Sequence, residues 1–206
     1  MGGRRMKSVG VLISGRGTNL QALIDAAAGG RLGGRIAVVI SNVETASGLE
    51  RARQAGIPAL FRDHRGRTRE DFDAELLALL REHAVDLVCL AGYMRLLSPA
   101  FIREFAGRIL NVHPSLLPAF PGLEAQRQAW EHGVKVSGAT VHFVDEGLDS
   151  GPIVLQEAVA VQSTDSPDVL AARILEAEHR IYPRAVRAIL EGRCRVEGRR
   201  AIVEGP

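Results

Sequence analysis

Short apolar runs that alternate with stretches of helical spacing constrain this chain more than any other feature. Val9-Gly-Val-Leu-Ile13 and Ile36-Ala-Val-Val-Ile40 are too short for helices and show no polar alternation. Residues 59–61, 86–91 and 108–112 extend the series. Helix-like stretches fall between them, from about Leu20 to Ala28, around Gly48 to Ala55, and from Arg69 to His83. In the last of these, Phe72, Leu76, Leu79 and Leu80 recur at helical spacing. Apolar strands separated by helices predict a parallel sheet covered on both faces.

The pattern changes in the second half. Residues 139–144 and 153–158 flank the Gly/Asp-rich stretch 145–151, which predicts an antiparallel pair. A long helix follows to about Leu190, with Ser166 as its cap, Pro167 at its first position and a bend at Pro183. The fold class expected is therefore α/β: a Rossmann-like, mostly parallel sheet with helices on both faces, an antiparallel strand pair at the C-terminal side and a long C-terminal helix. The 206 residues suit a single domain, 1–206, with no repeat and no linker. Residues 1–6 read as a flexible extension, with Met1 or Met6 as the start, and 193–206 as a tail turning at Glu197-Gly198.

Composition removes several classes. A hydrophobic content of 46% argues against disorder, and a net charge of +2, with arginines scattered along the chain, is too near zero to argue for nucleic acid by itself. Cys89 and Cys194 make no disulfide framework, and Cys89 sits in an apolar run as a small core residue. The run from Val9 to Ile13 is too short for a signal-peptide core, and no stretch is long enough to span a membrane. A cytoplasmic location is expected.

Three segments carry chemistry. Ser14-Gly-Arg-Gly-Thr-Asn19 joins the first strand to the first helix, where glycines let an anion approach free helix N–H groups. Leu20 replaces the third glycine of a dinucleotide fingerprint, so a lone phosphate fits better; a tight turn with a capped helix is the plainer alternative. In Asn111-Val-His-Pro-Ser-Leu-Leu-Pro118, strand alternation puts Asn111 and His113 on one face, and Pro114 ends the strand. An amide beside an imidazole suits a tetrahedral acyl intermediate, although a hydrogen-bonded strand-end histidine would look the same. His142 either faces the same cleft or is satisfied within the sheet. His64 and His132 read as solvated, and His83 as a helix-end cap. A carboxylate near His113 would keep it cationic. Spacing alone leaves Asp145, Glu146 and Asp149 equally eligible, and an exposed acidic turn also fits.

Together with Ala91-Gly-Tyr-Met-Arg-Leu-Leu-Ser-Pro99, Pro121-Gly122 and Asp149-Ser-Gly-Pro152, these segments resemble the folate-dependent phosphoribosylglycinamide formyltransferases, in order from about residue 8 to 192. The resemblance implies transfer of a formyl group from 10-formyltetrahydrofolate to glycinamide ribonucleotide, without a metal. It implies Asn111, His113 and Asp149 as catalytic, with Asp149 chosen among the three acids. Gly17, Thr18, Asn19 and Glu178 would bind the ribonucleotide, although Glu178 unaided reads as a helix-surface charge. Arg69, Met94, Arg95, Leu96, Leu97 and Asn111 would contact folate. Glu124 and Gln126 stand where the family commonly carries histidine, so no essential chemistry is expected there. Partners are the two small molecules, with no nucleic acid and no membrane, and a homodimer stays open. Formyltetrahydrofolate hydrolases share the core but usually add an amino-terminal domain, and methionyl-tRNA formyltransferases add a carboxyl-terminal one. A catalytically silent binding module is the reading from a different class.

Overall fold

The computed structural model describes residues 5–205; residues 1–4 of the expected extension lie outside that range. The chain divides into two compact units, one ending at Ile109 and one beginning at Leu110.

The first unit runs β1 (Ser8–Ile13), α1 (Thr18–Ala28), β2 (Arg35–Ser41), α2 (Ser47–Gln54), β3 (Ala59–Phe61), α3 (Arg69–Glu82), β4 (Leu87–Leu90) and α4 (Pro99–Glu104). Its strands lie in the order β3-β2-β1-β4, each pair parallel. Every residue of β1 and β4 is buried, which is why both read as unbroken apolar runs. Thr68 caps α3, its hydroxyl accepting from Asp71 N at 3.1 Å. His83 ends that helix as expected, with Nδ1 2.9 Å from the Leu79 carbonyl. Helix α4 was not anticipated, because six residues are too few to show a period.

The second unit takes up β5 (Ile109–His113), then α5 (Ala125–Glu131), β6 (Val136–Phe143), β7 (Ile153–Ala160), α6 (Pro167–Leu190), β8 (Cys194–Glu197) and β9 (Arg200–Val203). Its strands are ordered β5-β6-β7-β9-β8. Strands β6 and β7 are the predicted antiparallel pair, with an irregularity between Val141 and His142. The tail does more than turn: β8 and β9 form an antiparallel hairpin that pairs in parallel with β7. Ser166 caps α6, Pro167 opens it, and the helix continues as one element through Pro183. Along its inner face Leu170, Ile174, Ala177, Ile181, Tyr182 and Ala185 are buried. The larger of these side chains each contribute about 1.5–3 kcal/mol by leaving water. The Tyr182 hydroxyl donates to the Leu110 carbonyl at 3.2 Å, tying α6 to β5. Among the described residues no helix is long and apolar enough to cross a membrane.

Candidate active site

In the first unit, β1 leads into a loop built on close backbone approach. Gly17 has φ +71°, and a Cβ there would lie 2.6 Å from Gly48 Cα. The first turn of α2 therefore packs directly on the loop, and Gly48 N donates to the Gly15 carbonyl at 3.1 Å. Arg51 spans the loop, donating to the Arg16 carbonyl at 2.9 Å and to Gln21 Oε1 at 3.2 Å. Thr18 and Asn19 open α1, and its N-cap, Gly17, has no side chain with which to cap the helix end. First-turn N–H groups of this kind are the donors an anion uses. Gly17→Ala is expected to cost about 2–4 kcal/mol, from the left-handed backbone and the overlap with Gly48. Thermal denaturation checks it: an unchanged midpoint would mean the loop yields easily.

The segment 91–98 is held at its near end by Ser14. Ser14 N donates to the Gly92 carbonyl at 3.1 Å, and Ser14 Oγ accepts from Met94 N at 2.9 Å. That hydroxyl donates in turn to Asn42 Oδ1 at 2.6 Å, and His64 Nδ1 lies 3.1 Å from the Asn42 carbonyl. His64 is accordingly half-buried and partnered, where a solvated loop residue was expected. The expected folate contacts divide here. Met94 and Leu96 are 67% and 60% exposed, whereas Leu97 is turned into the core. Arg95 places its guanidinium 5.1 Å from the Phe72 ring centroid, and Arg69 stands exposed at the start of α3.

The second unit gathers Asn111, His113 and Asp149, and adds His142. Antiparallel register sets Asn111 opposite His142 and His113 opposite Thr140. Nε2 of His142 lies 3.3 Å from Asn111 Nδ2 and 3.6 Å from Asp149 Oδ1, while its Nδ1 lies 2.8 Å from the Phe143 carbonyl. His113 Nδ1 is 3.4 Å from Asp149 Oδ2, and its Nε2 is 2.8 Å from the Phe120 carbonyl. Asp149 also accepts from Gly122 N at 2.8 Å. Both residues holding His113 have left-handed backbones, φ +52° at Phe120 and +49° at Asp149. Such strain persists only where surroundings enforce it. Of the other two acids, Asp145 accepts from Gly147 N and Ser150 Oγ within its own turn, and Glu146 is exposed.

Burial pushes the Asp149 carboxyl up, but the His142 contact, the Gly122 N–H and the two imidazoles outweigh it, so its pKa lies below the usual range. For His113 the balance differs from the expectation. Burial, joined by the neighbouring His142, lowers its pKa more than the Phe120 carbonyl and Asp149 raise it, so it lies below the ordinary histidine value. Because both ring nitrogens face oxygen atoms, donation to a substrate requires exchanging one of these contacts.

Glu178 lies on the buried face of α6 at 5% exposure, so the surface-charge reading from spacing alone is corrected. Glu124 is exposed, Gln126 lies in the first turn of α5, and His132 closes that helix, exposed, with Nδ1 3.1 Å from the Gln128 carbonyl. Sequence reasoning left His142 undecided and missed Ser14 as a clamp. The signal for His142 was strand register, which pairs it with Asn111.

An amide and an imidazole on one strand face, with a carboxylate behind the ring, is the arrangement that acyl transfer calls for. Residues 6–186 match the formyl transferase family, and the chain belongs to it. It is 47% identical to the phosphoribosylglycinamide formyltransferase of Escherichia coli (strain K12), over 95% of this chain and 92% of that one. It is 52% identical over 92% of its length to the trifunctional purine biosynthetic protein adenosine-3 of Drosophila melanogaster, of which it spans about 14%. The solved structure of glycinamide ribonucleotide transformylase 1 from Symbiobacterium toebii superposes with a TM-score of 0.95 at 58% identity, covering 97% of this chain and 95% of that one.

Proposed function

We propose that this chain transfers the formyl group of 10-formyltetrahydrofolate to the amine of glycinamide ribonucleotide, giving formylglycinamide ribonucleotide and tetrahydrofolate in de novo purine biosynthesis. The observation that carries the reading is the cluster of Asn111, His113 and Asp149, with His142 bridging the amide and the carboxylate. It sits in a chain 47% identical over nearly its whole length to a phosphoribosylglycinamide formyltransferase.

The amine nitrogen attacks the formyl carbon, and the carbonyl oxygen becomes negative. Asn111 steadies that oxygen through its amide N–H. His113, neutral at rest and with its Phe120 contact exchanged for the reactants, accepts the proton that the attacking nitrogen sheds; Asp149 then stabilises the imidazolium beside the oxyanion. The imidazolium returns the proton to the departing folate nitrogen as the carbon–nitrogen bond breaks. The amine loses one proton and the folate nitrogen gains one. In this reading Gly17, Thr18 and Asn19 hold the ribonucleotide phosphate, and Glu178 contacts the ribonucleotide. Arg69, Met94, Arg95 and Leu96 line the folate side. Leu97 supports that segment from the core. The chain then works as a single formyltransferase domain, in the cytoplasm. Holding both reactants in place supplies several kcal/mol of the acceleration, by effective-molarity arguments.

The test is absorbance-monitored loss of 10-formyltetrahydrofolate with and without glycinamide ribonucleotide. Loss that requires the ribonucleotide is expected. Equal loss without it would make water the acceptor, and no loss in either case would leave a silent binding module.

A further inference from the structure

We infer that Asp73 is a positioning residue for the folate-facing segment 91–98, acting through the Ser98 amide and the Arg95 cation. The inference rests on the proposed folate reading of that segment. Asp73 lies on the inner face of α3 among Phe72, Leu76, Leu77 and Leu80, and is 1% exposed. An apolar residue would serve the packing of this helix better, because a buried carboxylate costs several kcal/mol unless it is well partnered. Its partner is specific. Asp73 Oδ2 accepts from Ser98 N at 2.5 Å, while the Ser98 hydroxyl is engaged in capping α4 through Phe101 N at 3.3 Å.

The charges around Asp73 come from the folate side. Burial raises its pKa, opposed by the Ser98 hydrogen bonds and then by the cations of Arg95 and Arg69. The Tyr93 hydroxyl feels the same carboxylate, its pKa pushed up by burial and then by Asp73. Arg95 thus lies over the Phe72 ring and within the field of the next residue along α3.

Segment 91–98 is consequently pinned at both ends, by Ser14 to Gly92 and Met94 and by Asp73 to Ser98. Between the pins Arg95 and Leu97 turn inward, and Met94 and Leu96 are held out into solvent. Two large apolar side chains fixed in the open make a ready surface for a flat ring. A surface that is already ordered spares the ligand the cost of ordering it.

Steady-state constants for both reactants in Asp73→Ala and Asp73→Asn test the role. Asp73→Ala is expected to raise KM for 10-formyltetrahydrofolate on the order of tenfold, with kcat and the ribonucleotide KM within about twofold. Asp73→Asn keeps an acceptor for Ser98 N but no charge, and about a threefold rise is expected. Equilibrium binding of a folate that cannot give up a formyl group should weaken in the same order. A parallel rise in both KM values, or a fall in kcat with the folate KM unchanged, would overturn the inference and leave Asp73 a structural residue. Should Asp73→Ala fail to fold, the same split is read from Asp73→Asn. If the unsubstituted chain consumes no formyl-folate, the parent reading fails first, before any variant is compared.

Discussion

Replacing His113 by alanine is expected to lower kcat by a factor on the order of 10² or more, the scale on which a positioned acid–base group contributes. KM for either reactant should change much less, because the ring acts on the proton in flight and not on the parts of the substrates that give affinity. His142 stands beside it, with Nδ1 at the Phe143 carbonyl and Nε2 facing Asn111 and Asp149, so the turnover left in the variant includes whatever that second imidazole supplies. Single-turnover kinetics with both reactants saturating would isolate the chemical step, and circular dichroism would show that the variant is folded. His113 is 4% exposed, so some stability is lost with it. A folded variant with near-normal turnover would sink the assignment.

The architecture was legible where burial is uniform. Strands β1 and β4 are buried at every position, and their runs of Val, Leu and Ile stated as much. The pairing of β6 with β7 was legible from the Gly/Asp turn between them. Helices α4 and α5, of six and seven residues, were not, since neither completes enough turns to show a period. Asn111 and His113 were legible as a same-face pair because alternation along a strand is a local rule. The position of His142 beside them is a register property, which belongs to two strands at once.

Two buried acids show a different kind of miss. Asp73 falls beside Phe72 and Leu76, and Glu178 beside Ala177 and Ile181, and the structure buries both on inner helix faces. An acid there contradicts the pattern around it, and such contradictions concentrate at sites with work to do. The sign of the His113 shift was out of reach for another reason. Asp149 could be named from resemblance, but how deeply the ring is buried depends on packing that no spacing encodes.

Asp149→Asn separates these contributions, and its effect should be large. In the free protein burial already holds the His113 pKa below its ordinary value, and Asp149 is one of the influences opposing that. Asparagine keeps the side-chain shape and an acceptor for Gly122 N, but it removes the charge. The sign follows directly. Without the carboxylate the imidazolium is less stable, so the His113 pKa falls further, and the limb of the kcat–pH profile that belongs to His113 moves toward acid. At neutral pH kcat should fall on the order of 10²-fold, because the imidazolium formed during transfer has lost its counter-charge in a dry site. The profile is the more telling readout, since a general loosening of the 145–151 turn would lower kcat without moving the limb. A lowered kcat with an unmoved limb would assign Asp149 to holding the turn, through Gly122 and its left-handed backbone, and leave burial and Phe120 to set the His113 pKa.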